Sequence, residues 1–259
     1  MWDVINALFF RELKTRFGKN RRLGYLWVVG EPMAQIIAIA LIVSAIREAR
    51  GQVMPEGVSI FMFLVCGIIP FFMFRNITTQ LMGGIEGNLT LFAYKPVRPI
   101  HVFIARTLLE VYLHFTIFVV LMLIEGIFFG QNTIPKDFVV VLFCFLFLAF
   151  CGFTWGVCFA ILGHLVEPLK VLLKYIATLF YFASAVMYPI WILPTNILEF
   201  ILYNPLVHIT ETLKIHYFDN YPVTEGINIL YPIVFNFVLL FIGLWFYYYK
   251  RRELVASNR

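Results

Sequence analysis

Long apolar runs separated by short polar connections set the pattern of this chain. Six runs of about 20 residues stand out, at 25–46, 60–82, 102–128, 138–162, 171–188 and 227–249, each enough for a helix to cross a hydrocarbon layer about 30 Å thick. Ahead of them, Trp2, Ile5, Phe9, Leu13 and Phe17 recur every three or four residues, while Asp3, Arg11, Lys14 and Lys19 take other positions. That spacing predicts an amphipathic helix over 1–22, lying in the interface plane. Between the fifth and sixth runs the pattern breaks. Residues 189–222 are rich in Pro, Asn and aromatics, and their two apolar patches, 190–193 and 197–206, are too short to cross. Such patches predict re-entrant or interfacial helices. The expected fold is an all-α integral membrane protein, a single transmembrane domain over 1–259. It comprises an interfacial helix, spans one to five over 25–188, a re-entrant segment outside the cytoplasm and a sixth span.

Local residues sharpen this picture. Pro32 suits the first turns of a helix, whereas Pro70 falls inside the second span. Gly152 and Gly156 in the fourth span permit close helix approach. Cations orient the chain. Arg11, Lys14, Arg16, Lys19, Arg21 and Arg22, then Lys95, Arg98 and Arg106, then Lys170 and Lys174, and finally Lys250, Arg251, Arg252 and Arg259 all fall on one side. Only Arg47, Arg50, Lys136 and Lys214 fall on the other, so both termini are expected in the cytoplasm.

Composition agrees with a membrane protein. Of the 259 residues 61% are hydrophobic and only 14% charged, and the mean hydropathy is +0.86. This leaves too little polar surface to wrap a water-soluble particle of that size. The net charge of +5 comes from cations beside apolar spans rather than in a solvated groove, so nucleic acid is not an expected partner. The first dozen residues are amphipathic and carry no cleavable-signal pattern. Cys66, Cys144, Cys151 and Cys158 lie inside apolar runs, the last three one heptad apart, and read as small packing residues.

Catalytic motifs are missing. Gly18-Lys19-Asn20 lacks both the upstream glycine and the following Ser or Thr of a phosphate cradle. No nucleophile elbow, zinc-protease motif or metal-spaced acidic pair occurs. The informative groups are ionisable residues at membrane depth: Arg75, Glu110, His114 and Glu125. Arg75 reads either as a phosphate or carboxylate contact in a conduit or as an internal ion pair with Glu110. Glu110 and Glu125 are near enough to span ends to reach water, and His114 reads as a packing residue. Tyr175, Tyr181, Tyr188, Trp191 and Tyr203 carry polar handles near the re-entrant segment. They read as interface belts or as faces for sugar rings of a sliding polymer. The basic cluster Arg16, Lys19, Arg21 and Arg22 runs directly into Tyr25 and Trp27, as an anchor or as a sill where a polar headgroup first binds. In the loop 83–99, Asn88 can cap a short helix that Pro96 ends, giving either a knob for a partner's groove or an interfacial loop.

Three stretches carry a resemblance: RELKTRFGKNRRLGYLWVVGEP at 11–32, EGNLTLFAYKPVRPIHVFIAR at 86–106 and YNPLVHITETLKIHYFDNY at 203–221. They resemble permease subunits of type-2 ATP-binding-cassette exporters, and among these the exporters of capsular polysaccharide or O-antigen glycolipids. The resemblance implies a homodimer of this chain working with two separate ATP-binding subunits, which hold ATP-Mg; this chain itself would bind no cofactor and catalyse nothing. It implies translocation of a lipid-linked acidic polysaccharide across the inner membrane, with a periplasmic adaptor and an outer-membrane exporter beyond, and membrane lipids around it. ATPase coupling would fall on Glu86, Asn88, Leu91, Tyr94 and Arg98. Arg16, Lys19, Arg21 and Arg22 would draw in the headgroup, and Arg75, Tyr181, Tyr188 and Trp191 would line the path. Competing readings are an O-antigen or teichoic-acid exporter of the same fold, a drug-type exporter, a membrane enzyme acting on lipid-linked sugars, and a passive channel.

Overall fold

The structure, a computed structural model, describes residues 2–17, 24–49, 51, 55, 58–94 and 96–255, all helices and connections with no strand among them. The helices are α1 (Trp2–Phe17), α2 (Gly24–Ala49), α3 (Ile60–Met82), α4 (Pro99–Phe129), α5 (Phe138–Leu165), α6 (Glu167–Ala183), α7 (Thr195–Leu202), α8 (Pro205–Tyr217) and α9 (Leu230–Val255). A 3-10 helix, Glu86–Ala93, sits between α3 and α4. Among the described residues α3, α4, α5 and α9 are long and apolar enough to cross a membrane, and Met33–Ile46 of α2 is a shorter apolar stretch.

Helix ends follow local chemistry. Ser59 caps α3, its hydroxyl accepting from Met62 N–H at 3.5 Å. Pro99 opens α4, where its missing N–H costs nothing. Gly130 ends α4 at φ +66°, a left-handed conformation open to glycine. Asn204 accepts from Leu206 N–H at 3.0 Å and, with Pro205, starts α8.

The core is built on α3. Seventeen of its 23 residues are buried, and α4, α5, α6 and α8 pack around it. Gly152 and Gly156 perform the role expected of them. A Cβ on Gly152 would come within 2.9 Å of Phe74 O, and one on Gly156 within 2.8 Å of the Leu81 side chain. That closeness lets the Thr78 hydroxyl donate to Gly152 O at 3.3 Å. On its other face α5 meets α9, where Trp155 Nε1 donates to Asn236 Oδ1 at 3.2 Å. By contrast, only three of the 17 residues of α6 are buried, and Val171, Leu172, Tyr175, Leu179 and Phe182 form an uncovered apolar strip.

The segment after α6 is a helical hairpin packed into the bundle. At 13 residues, α8 is about 20 Å long and cannot cross a layer of about 30 Å. Ten of those residues are nonetheless buried. Its polar side chains hold the turn that ends α6. Asn204 Nδ2 donates to Ala183 O and Ser184 Oγ, Thr210 Oγ1 to Ser184 O, and Lys214 Nζ to Ala185 O. This network stabilises Ala185 at φ +53°, rare for a residue with a side chain. The same turn lies so close to α3 that a side chain at Gly67 would collide with Val186 O. Helix α6 therefore ends at Ala183, five residues short of the end expected from its apolar run.

Candidate functional site

At the end of the bundle where α1 lies, four elements meet in one polar joint. The Glu12 carboxylate of α1 accepts from Arg11 Nη2 at 3.0 Å and from Arg106 Nη2 of α4 at 3.2 Å. Arg106 Nη1 also donates to Gln80 O, near the end of α3, at 2.7 Å. Arg11 Nη2 reaches Asn88 Oδ1 in the 3-10 helix, and Asn88 Nδ2 donates back to Gly84 O at 2.9 Å. Glu12 and Asn88 are buried, so these are charge-assisted bonds shielded from water. The joint ties α1, the 3-10 helix, α3 and α4 into one unit.

Of the loop residues singled out from sequence, the joint takes Asn88 inward. Leu91 is half-buried against the core, and Tyr94 and Arg98 are exposed, Tyr94 at 67%. Glu86 pairs with Lys170 of α6, with His164 Nδ1 of α5 at 4.0 Å, so the connection between α5 and α6 also docks on the 3-10 helix. The surface left open runs over Glu86, Thr90, Tyr94 and Arg98. Sequence reasoning missed Glu12, Arg106 and Lys170. The one signal was the lone acid, Glu12, in a strongly basic stretch.

In the second half of α3 the guanidinium of Arg75 lies 4.3 Å from the Phe72 ring centroid, a cation–π contact. The Tyr181 ring stands 5.6 Å from Phe72 and 5.4 Å from Phe71, and its buried hydroxyl has no hydrogen-bond partner among the described residues. Arg75 forms no ion pair with Glu110 among the described residues. Glu110 Oε2 lies 3.5 Å from His114 Nδ1, and His114 Nε2 sits 3.3 Å from Asn76 Nδ2. Arg75, Asn76, Thr79 and Gln80 are half-buried and form a polar stripe on α3 that runs toward the joint. Both Glu110 and Glu125 are buried rather than open to water, because neighbouring helices cover them.

The aromatic cluster is dispersed. Only Tyr181 adjoins Arg75. Tyr188 donates to Phe182 O at 2.8 Å, Trp191 packs edge-on against Tyr221 at 4.7 Å, and Tyr175 and Tyr203 are exposed. Lys19, Arg21, Arg22 and the side chain of Arg16 lie outside the described residues.

A chain of this build, with short exposed loops, one exposed 3-10 knob and a polar joint behind it, matches the family model of the ABC-2 type transporter over residues 3–218. The chain belongs to the ABC-2 type transporter family. Similarity to its relatives runs along almost the whole length. It is 35% identical to the polysialic acid transport protein KpsM of Escherichia coli over 98% of this chain and 96% of the relative. It is 29% identical to the capsule polysaccharide export inner-membrane protein CtrC of Neisseria meningitidis, over 93% of this chain and 88% of the relative. With BexB of Haemophilus influenzae, also a capsule polysaccharide export inner-membrane protein, identity is 28% over the same shares. Two of these relatives are named export proteins and the third a transport protein, which agrees with a transport subunit.

Proposed function

We propose that this chain is the permease subunit of an ATP-driven exporter that moves a lipid-linked acidic capsular polysaccharide across the inner membrane. The observation that carries the reading is the 35% identity to a polysialic acid transport protein along nearly the entire chain. Deleting the chain from its host is expected to trap polymer in the cytoplasm, and restoring it to return polymer to the surface. Surface polymer that persists in the deletion would overturn the reading.

In this reading two copies of the chain assemble side by side in the membrane. The chain crosses the membrane six times with both ends in the cytoplasm. Two ATP-binding subunits, carrying ATP-Mg, dock on the open face of the 3-10 helix, and a periplasmic adaptor and an outer-membrane exporter continue the route. Polymer headgroups gather at the basic segment around Arg16, Lys19, Arg21 and Arg22 and pass Arg75 and Tyr181, with Tyr188 and Trp191 near the outer end.

Replacing Tyr94 and Arg98 together by Ala is expected to leave membrane insertion intact while ATP hydrolysis and export come apart, measured as polymer exported per ATP hydrolysed. Export at the wild-type ratio would count against docking there. Arg75→Ala is expected to reduce export of an anionic polymer, with Arg75→Lys restoring part of it, because a lysine keeps the charge and loses the planar two-pronged contact. Equal transport by all three forms would remove Arg75 from the path.

A further inference from the structure

The corner at which α5 gives way to α6 is a single residue, Val166. Its N–H donates to Leu162 O at 2.9 Å, and its carbonyl accepts from Leu169 N–H at 2.9 Å. The last turn of α5 and the first turn of α6 are thereby joined as one piece. Burial does little to steady the start of α6, since Leu173 alone is buried among residues 167–174.

Side chains aim this corner at the 3-10 helix. Gly163 lies under Lys170, where a Cβ would stand 2.7 Å from Lys170 Cγ, so bare backbone lets the lysine stem cross the end of α5. The ammonium meets the Glu86 carboxylate, 84 positions earlier, and His164 Nδ1 lies 4.0 Å from the same oxygen. The 3-10 helix is therefore held on two sides. On one, Asn88 meets Arg11 of α1, and Gly87 sits beside Arg106 of α4, whose Nη2 is 3.7 Å from a Cβ built there. On the other, Glu86 meets Lys170. The side chains of Lys170 and Glu86 are 22% and 49% exposed, and a pair so open to water contributes little to folding. What it fixes is the position of one element against another.

We propose that Lys170 is a positioning residue for the ATP-driven step, its pair with Glu86 fastening the α5–α6 corner to the 3-10 helix. A displacement of the 3-10 helix by the ATP-binding subunit is then followed by α5 and α6 as well as by α3 and α4. The inference rests on the transport reading above. It turns the Glu86 carboxylate inward and leaves contact with the ATP-binding subunit to Thr90, Tyr94 and Arg98.

Charge exchange tests this. Lys170→Ala, Lys170→Glu and the double variant Lys170→Glu/Glu86→Lys are reconstituted with the ATP-binding subunit, and polymer exported per ATP hydrolysed is measured. In parallel, a nitroxide at Lys174→Cys, one turn further along α6 and exposed, reports how firmly that turn is held; the native cysteines are buried or half-buried. Lys170→Ala is expected to lower the export ratio about threefold, within the range of a partly exposed ion pair. Lys170→Glu is expected to lower it about tenfold, because repulsion replaces attraction. Both should free the nitroxide. The double variant keeps the opposite charges and the combined side-chain length, and is expected to bring both readouts back to within about twofold of wild type. A nitroxide as constrained in Lys170→Glu as in wild type, or a double variant no better than Lys170→Glu, would overturn the link. Loss of the co-purified ATP-binding subunit from Lys170→Glu would overturn it as well, by making Lys170 a docking residue. A nitroxide that responds as expected in a wild-type background that exports no polymer would overturn the transport reading, and the fastening alone would stand.

Discussion

Lys214→Met is expected to lower the thermal stability of the purified protein by about 3–5 kcal/mol, the cost of stranding one partner of a buried ion pair. Lys214 is fully buried and Glu211 only 1% exposed, their charges 2.9 Å apart. The ammonium also donates to Ala185 O at 2.5 Å and lies 4.3 Å from the centre of the Phe63 ring. Tyr221 Oη donates to the other carboxylate oxygen at 2.8 Å. Methionine keeps the length and the apolar stem, yet leaves the carboxylate without its counter-charge and the Ala185 carbonyl without this donor, at the one described non-glycine residue with positive φ. The turn that ends α6 should loosen first. Adding Glu211→Leu is expected to recover part of the loss, because it removes the stranded charge. Unfolding of the single and double variants in the same detergent checks both points, and an unchanged midpoint for the single variant would mean that the pair contributes nothing.

Arg106→Ala is expected to cut polymer export about tenfold while ATP hydrolysis by the partner subunit continues, within the range of ~1–3 kcal/mol usual for coupling between sites. Arg106 is the only described side chain that binds both the Glu12 carboxylate of α1 and the Gln80 carbonyl of α3. Without it the 3-10 helix remains tied to α1 through Arg11 and Asn88, but the side-chain link from Glu12 to the end of α3 is lost. Arg106→Lys should restore little, since a single ammonium cannot serve both partners at their present positions. The measurement is export and hydrolysis on the same reconstituted sample. A parallel fall in both would indicate lost assembly rather than lost transmission.

Much of the architecture was legible because the membrane forces long apolar stretches into helices. The second span, 60–82, agrees with α3 to the residue, and the start of α5 at Phe138 was equally plain. The third span, 102–128, falls inside α4, which Pro99 opens three residues earlier and Gly130 ends. The end of α6 was not legible, since the side chains that fix it, Asn204, Thr210 and Lys214, lie about 20–30 residues further on. The same distance effect hid Lys214 itself. It counts among the outer-side cations in the sequence, and only the fold shows it neutralised by Glu211 one helical turn away. The loop after α3 was legible in part. An exposed face at Tyr94 and Arg98 follows from loop chemistry, but the inward turn of Asn88 depends on Arg11, 77 positions earlier. The aromatic residues misled in a different way. Polar handles near one segment suggested a common surface, whereas burial separated Tyr181 from Trp191 and bonded Tyr188 to its own turn.

One consequence follows from how α6 is fastened. Lys170 grips Glu86 at one tip, while Asn204 grips Ala183 and Ser184 at the other. Between the tips one side packs on the bundle, Tyr181 against Phe71 and Phe72 and Phe180 against Trp155, while the other side is bare. A rod pinned at both ends and seated along one side can neither slide nor spin by itself. A pull applied at Glu86 would tilt it together with the helices it lies on, keeping the same row of side chains outward.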